Sequence, residues 1–161
     1  MLRKIFIGYA LLGLLAACGE VRPLWKGTSE LKNHTVYFSE PSEYLMDLTH
    51  LEQEIEASLE LTVTYYAGTS HTTLPLILIF EDSSHVIREY TTNIRLKEGG
   101  EWLGFPSEDG TSYTLSEVAI PEIALKPETY VLRIYANDEE AEKVEGILSL
   151  TARVFEVEVE E

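Results

Sequence analysis

A chain of 161 residues is long enough for one domain with a sizeable core and cramped for two. Its 45% hydrophobic, 25% charged and 10% aromatic content belongs to a folded globular protein and not to a disordered one. The 28 Asp and Glu against 12 Lys and Arg give a formal charge of −16, which argues against nucleic acid as a partner, and the single cysteine, Cys18, excludes an intrachain disulfide, a multi-cysteine zinc site and an iron–sulfur site.

The chain opens with Arg3 and Lys4, continues through an apolar run from Ile5 to Leu15, and reaches small residues before Cys18. That is the pattern of a secretory signal. The run is about half the length needed to cross a bilayer core, and no other long apolar stretch follows. Leu15-Ala16-Ala17-Cys18 resembles the lipobox of bacterial lipoproteins. The resemblance implies a diacylglyceryl group on the Cys18 thiol, cleavage before Cys18, and acylation of the freed amine. Two or three acyl chains anchor a protein stably, whereas one does so marginally. Gly19, where sorting rules of such lipoproteins look for Asp, implies the outer membrane, on its periplasmic or its surface face. The alternative is an ordinary secreted protein in which Cys18 is incidental.

Residues 1–17 therefore read as a signal peptide and residues 18–33 as a lipidated N-terminus with a flexible tether, carrying Pro23, Gly27, Thr28 and Ser29 without periodicity. Residues 34–161 read as a single all-β domain, an antiparallel β-sandwich of jelly-roll or immunoglobulin-like type. The reason is a succession of short runs rich in β-branched and aromatic residues, separated by turn signals.

His34 to Ser39 is the first expected strand, closed by Pro41. Residues 43–54 read equally as helix or strand, since Tyr44, Leu48, Leu51 and Ile55 share a helical face and Thr49 with Glu52 resembles a capping box. From Ile55 to Tyr65 the apolar residues hold one parity, which makes a strand. Leu74 to Phe80 is apolar on both parities, as a strand covered on both faces would be. Glu81 to Ser84 turns the chain into the alternating Val86 to Leu96, completing a hairpin. Ser112 to Ile120 and Thr129 to Asn137 supply further strands, the latter with Tyr130, Leu132 and Ile134 inward. Asp138 to Glu145 reads as an acidic loop. From Gly146 to Val159 the inward parity switches after Val154, which predicts a β-bulge there.

Gly100-Glu101-Trp102-Leu103-Gly104, with Phe105 after it, gives the chain its family resemblance. Together with the lipobox, Glu128-Thr129-Tyr130 and Glu145-Gly146-Ile147, it resembles the gliding-motility lipoprotein family called GldH, over roughly residues 55 to 159. Two departures stand out: Glu128 replaces the family's Gly before the tyrosine, and Tyr65-Tyr66-Ala67 replaces its Arg-Asn step. The resemblance implies a lipoprotein working with gliding motility and the secretion machinery coupled to it. It implies no reaction.

No catalytic site is expected. His34, His50, His71 and His85 have no zinc-site spacing, no Gly-x-Ser-x-Gly elbow exists, and neither Glu108-Asp109 nor Asn137-Asp138-Glu139-Glu140 has the spacing of a calcium loop. No metal and no cofactor are assigned. Glu156, Glu158, Glu160 and Glu161 put charge on the open face of the last strand, where it discourages edge pairing. Gly100, Trp102, Leu103, Gly104 and Phe105 form the candidate contact loop, with two readings for Trp102: an exposed anchor for a partner, or a ring tucked over the end of the sandwich.

Two functions follow from these residues. One is a non-catalytic lipoprotein, held to the membrane through Cys18, that docks to protein components of the gliding and secretion apparatus. The other is a glycan-binding module in which some of Tyr37, Tyr65, Tyr66, Tyr113, Tyr130 and Tyr135 stack on sugar rings. Exposed aromatics in one flat row would fit the second, and a single patch with an acidic rim would fit the first.

Overall fold

The computed structural model describes residues 21–137 and 143–157. The segment expected as a signal peptide, Cys18, most of the acidic segment from Asp138, and Glu158, Glu160 and Glu161 lie outside the described residues. Among the described residues no helix is long and apolar enough to cross a membrane.

The strands in chain order are β1 (Trp25–Glu30), β2 (Thr35–Tyr37), β3 (Ser42–Asp47), β4 (Ile55–Tyr66), β5 (Thr73–Glu81), β6 (Ile87–Arg95), β7 (Lys97–Glu98), β8 (Glu101–Trp102), β9 (Phe105–Pro106), β10 (Ser112–Leu125), β11 (Thr129–Ala136), β12 (Lys143–Glu145) and β13 (Ile147–Glu156). They pair antiparallel as a single long ribbon: β1 with β13, β2 with β12, β3 with β11, β4 with β10, and β5 with β6 at the tip. The ribbon is rolled so that β13 also meets β4 and β11 also meets β5. Two facing sheets result, of order β1-β13-β4-β10-β9 and β3-β11-β5-β6. This wrapping is the jelly roll, one of the two sandwich types expected from the strand pattern.

The core follows from period-two alternation. Leu59, Leu61, Val63 and Tyr65 of β4 face Leu74, Leu76, Leu78 and Phe80 of β5, joined by Leu132 and Ile134 of β11 and Leu150 and Val154 of β13, all buried. One side of the sandwich is sealed by Trp25 of β1 against Tyr44 of β3, edge to face at 6.2 Å. The buried Tyr44 hydroxyl donates to the Leu150 carbonyl at 3.1 Å, and burial pushes its pKa up. Gly27 lies under these rings, because a Cβ there would meet Trp25 and Tyr44 carbon atoms at 2.7 and 2.8 Å.

Several expectations need correction. The tether does not run to Asn33: Trp25–Glu30 is a strand paired in full with Val154–Ser149, so the sandwich begins nine residues before the expected start at His34. The strand expected from His34 to Ser39 is confined to Thr35–Tyr37, because His34 has a positive φ of 53°. Residues 42–47 are strand, and the expected capping box is instead an Asx turn in which Asp47 Oδ1 accepts from the Thr49 N–H and hydroxyl. Lys143–Glu145, assigned to a loop, pairs with β2. The last strand has its register shift between Ile147 and Ser149, not after Val154, so Leu150, Ala152 and Val154 point inward and Phe155 outward. Finally, β5 is covered by a sheet on one face only; Ile77 and Ile79 on its other face are half-buried beside Phe38 and Tyr135.

Candidate functional site

The candidate loop hangs between β6 and β10 at one end of the sandwich. Lys97–Glu98 and Glu101–Trp102 pair as a miniature hairpin, turned by Gly99 and Gly100 with φ of 58° and 90°. Consecutive positive φ values at the two central residues suit glycine and match the right-handed twist of the strands. After the hairpin the chain needs a third left-handed residue, Gly104 (φ 92°), to bring Phe105–Pro106 alongside Thr114 and Tyr113 of β10. A Cβ on Gly104 would lie 2.8 Å from the Thr114 carbonyl carbon and closer still to its oxygen. This close backbone approach is why the second glycine of the motif stands there.

Of the two readings of Trp102, the tucked ring is the one observed. Trp102 is half-buried and packs on the core, with its ring 5.8 Å from Tyr65, which in turn stacks at 6.0 Å on Tyr113. Lys97 Nζ sits 4.5 Å from the Trp102 ring on the outside, a cation–π contact worth about 0.5–1 kcal/mol at a wet site. Tyr65 fixes the loop from below. Its hydroxyl lies 2.6 Å from the Leu103 carbonyl and 2.8 Å from that of Leu96. Burial of the phenol outweighs these contacts and pushes its pKa up to about 12. The Leu103 N–H donates to Leu96 O at 2.9 Å, closing the loop base.

Phe105 is the loop's exposed aromatic, with 83% of its surface accessible. It shares a cross-strand row with Thr114, Thr64, Ser149 and Glu30. Glu98, Glu101, Glu108 and Asp109, all exposed, flank it in sequence. The turn after it is held by Asp109 Oδ1, which accepts from the Ser107 hydroxyl at 2.6 Å and from the Thr111 N–H and hydroxyl at 3.1 and 2.8 Å. Those bonds to the charged form, the Ser107 hydroxyl's first, lower the Asp109 pKa to about 2. The candidate loop is thus rigid at Trp102 and Leu103, with an apolar tip between acidic residues.

The tyrosines proposed as sugar platforms do not form a row. Tyr65 and Tyr130 are buried, Tyr37, Tyr113 and Tyr135 are half-buried, and only Tyr66 among the six is exposed, its ring edge-on to His34 at 5.4 Å. Glu128 accepts from the Tyr130 hydroxyl at 3.1 Å and from Ser83. No group of three His, Cys, Asp or Glu side chains among the described residues is placed to hold a metal.

One surface escaped the sequence. On the outer face of the four-stranded sheet, Phe38, Ile77, Ile79 and Tyr135 line a shallow hollow, next to Arg133, which is paired with Glu43 at 2.8 Å and Glu81 at 2.7 Å. The double-parity apolar run from Leu74 to Phe80 was its signal, but that run reads equally as a fully covered strand. Compared with known proteins, the chain matches no family model, and it matches no curated protein.

Proposed function

We propose that this is a non-catalytic lipoprotein of the outer membrane, anchored through Cys18, that docks to protein components of a gliding-motility or secretion apparatus. The lipobox supports the anchor, and the motifs resembling the GldH family support the process. The observation that carries docking is Phe105. A bare phenyl ring between acidic flanks, on a loop held rigid by Tyr65 and Gly104, suits a protein partner with an apolar pocket and a basic rim. The absence of an exposed tyrosine row among the described residues leaves the glycan-binding reading second.

The loop lies at a different end of the five-stranded sheet from the start of β1. Trp25 lies in the cross-strand row of Val154, Leu59 and Ile120, whereas Phe105 lies in the row of Glu30, five residues further along β1. That separates them by roughly 17 Å along the strands. Cys18 precedes Trp25 by seven positions, a reach of about 25 Å at most. A lipid on Cys18 would therefore hold the body close to the bilayer.

Cell fractionation with mass spectrometry of the mature N-terminus tests the anchor. The expected result is wild-type protein in the membrane pellet with an acylated N-terminal peptide beginning at Cys18, and Cys18→Ala protein in the soluble fraction. An unmodified N-terminal peptide from membrane-free protein would overturn it.

A further inference from the structure

The four sheet edges are not equally protected. β1 has six residues and is capped by the Trp25–Tyr44 contact, and β3 has six and follows Pro41. The edge of β10 is covered at its start by β9 and broken further on by two register shifts around Pro121. β6 differs. It runs nine residues, Ile87–Arg95, in unbroken register with β5, with no proline, no bulge and no neighbour on its other side among the described residues. A long regular edge of this kind is a template for another strand.

The register identifies which backbone groups are open. Leu96 N–H donates to Thr72 O and Asp82 N–H to Val86 O, so the hydrogen-bonded pairs of this hairpin fall on even-numbered residues of β6. Hydrogen-bonded and non-hydrogen-bonded pairs alternate in an antiparallel ladder. Ile87, Glu89, Thr91, Asn93 and Arg95 therefore turn their N–H and C=O groups to the open edge. Their side chains are all exposed on the outer face of the sheet.

We infer that two copies of this chain associate by antiparallel pairing of β6 with β6 about a two-fold axis. Only odd-numbered residues can form the hydrogen-bonded pairs. The register that sets Thr91 against Asn93 of the second copy also sets Glu89 against Arg95 of the second copy, twice by symmetry. On the inner face it places Tyr90 across from Ile94 and Thr92 across from itself. This charge complementarity selects the second copy as occupant and fixes the register. Arg95 is free to change partner, because its present ion pair with Glu98 is exposed on both sides and such pairs hold little. Arg88, on the inner face, donates to the Ala124 carbonyl at 2.8 Å and so ties β6 to β10. Eight strands would form one continuous sheet across the dimer, and the inference holds whatever Phe105 binds.

Sedimentation equilibrium of the purified full chain, in detergent at physiological salt and up to about 100 µM, a range that reaches weak interfaces, tests this. The expected result is a dimer. Thr91→Pro, which removes an edge N–H and leaves the β5 pairing intact, should yield a monomer whose thermal transition equals that of wild type at dilutions where both are monomeric. Glu89→Arg should weaken dimerisation at least tenfold, and Glu89→Arg combined with Arg95→Glu should restore it. A wild-type monomer at all concentrations overturns the inference. So does a dimer indifferent to Thr91→Pro, or one that the charge exchange fails to restore. Amides of β6 that gain exchange protection only when a different protein is added would assign the edge to that protein instead.

Discussion

Gly104→Ala is expected to destabilise the protein by about 3 kcal/mol and to lower its melting temperature by roughly 10 °C. Two penalties combine at this position. A non-glycine residue must adopt a φ of 92°, and its Cβ must sit inside contact distance of the Thr114 backbone, which is fixed in the β4–β10 ladder and cannot retreat. Gly100→Ala separates the two effects. Its φ is 90° but nothing lies within 4 Å of the added Cβ, so only the backbone cost of about 1 kcal/mol remains. Thermal unfolding of the two variants beside wild type checks the difference; equal losses would mean that the close approach to Thr114 is not what selects glycine.

Trp102→Ala is expected to cost about 2–3 kcal/mol, since it strips a half-buried indole from Tyr65 and frees Lys97. Phe105→Ala, three residues on, should stay within about 0.5 kcal/mol of wild type, because the ring touches solvent over most of its surface. Binding should show the reverse order. The Phe105 variant should fold normally and lose its partner, while the Trp102 variant should bind in proportion to the fraction that remains folded. Denaturant titrations with parallel pull-downs from membranes check both. A Phe105 variant that retains wild-type binding would remove the loop tip from the interface.

Both variants concern a loop that the sequence singled out without saying which aromatic faces water. Glycines at 99, 100 and 104 mark a constrained loop, but the orientation of Trp102 depends on Tyr65, thirty-seven residues away, reaching two carbonyls of the loop base. Elsewhere legibility follows the strength of the alternation. β4, β6 and β11 repeat apolar residues at period two, and their inward parity follows directly, whereas β5 is apolar on both parities and leaves its inward face open. β1 was hidden because its inward residues are Trp25, Gly27 and Ser29, which carry no apolar pattern; it becomes a strand by pairing with β13 and closing Trp25 over Tyr44. β3 was ambiguous because Leu45, 71% exposed, breaks the alternation of Tyr44, Met46 and Leu48. The sequence suggests a bulge after Val154 because Phe155, apolar but outward, reads as a change of parity, whereas the register shift lies between Ile147 and Ser149. These failures have one origin: pairing partners distant in sequence decide what a short local pattern leaves open.

Site-specific photo-crosslinking in cells tests docking most directly. A photoreactive residue replaces Phe105 in one strain and His50 in another, His50 being exposed in the turn that follows β3, beyond the Asp47–Thr129 pair. Docking through Phe105 gives a discrete protein adduct from position 105 and none from position 50. Polysaccharide adducts at 105, or the same protein adduct from both positions, would contradict it.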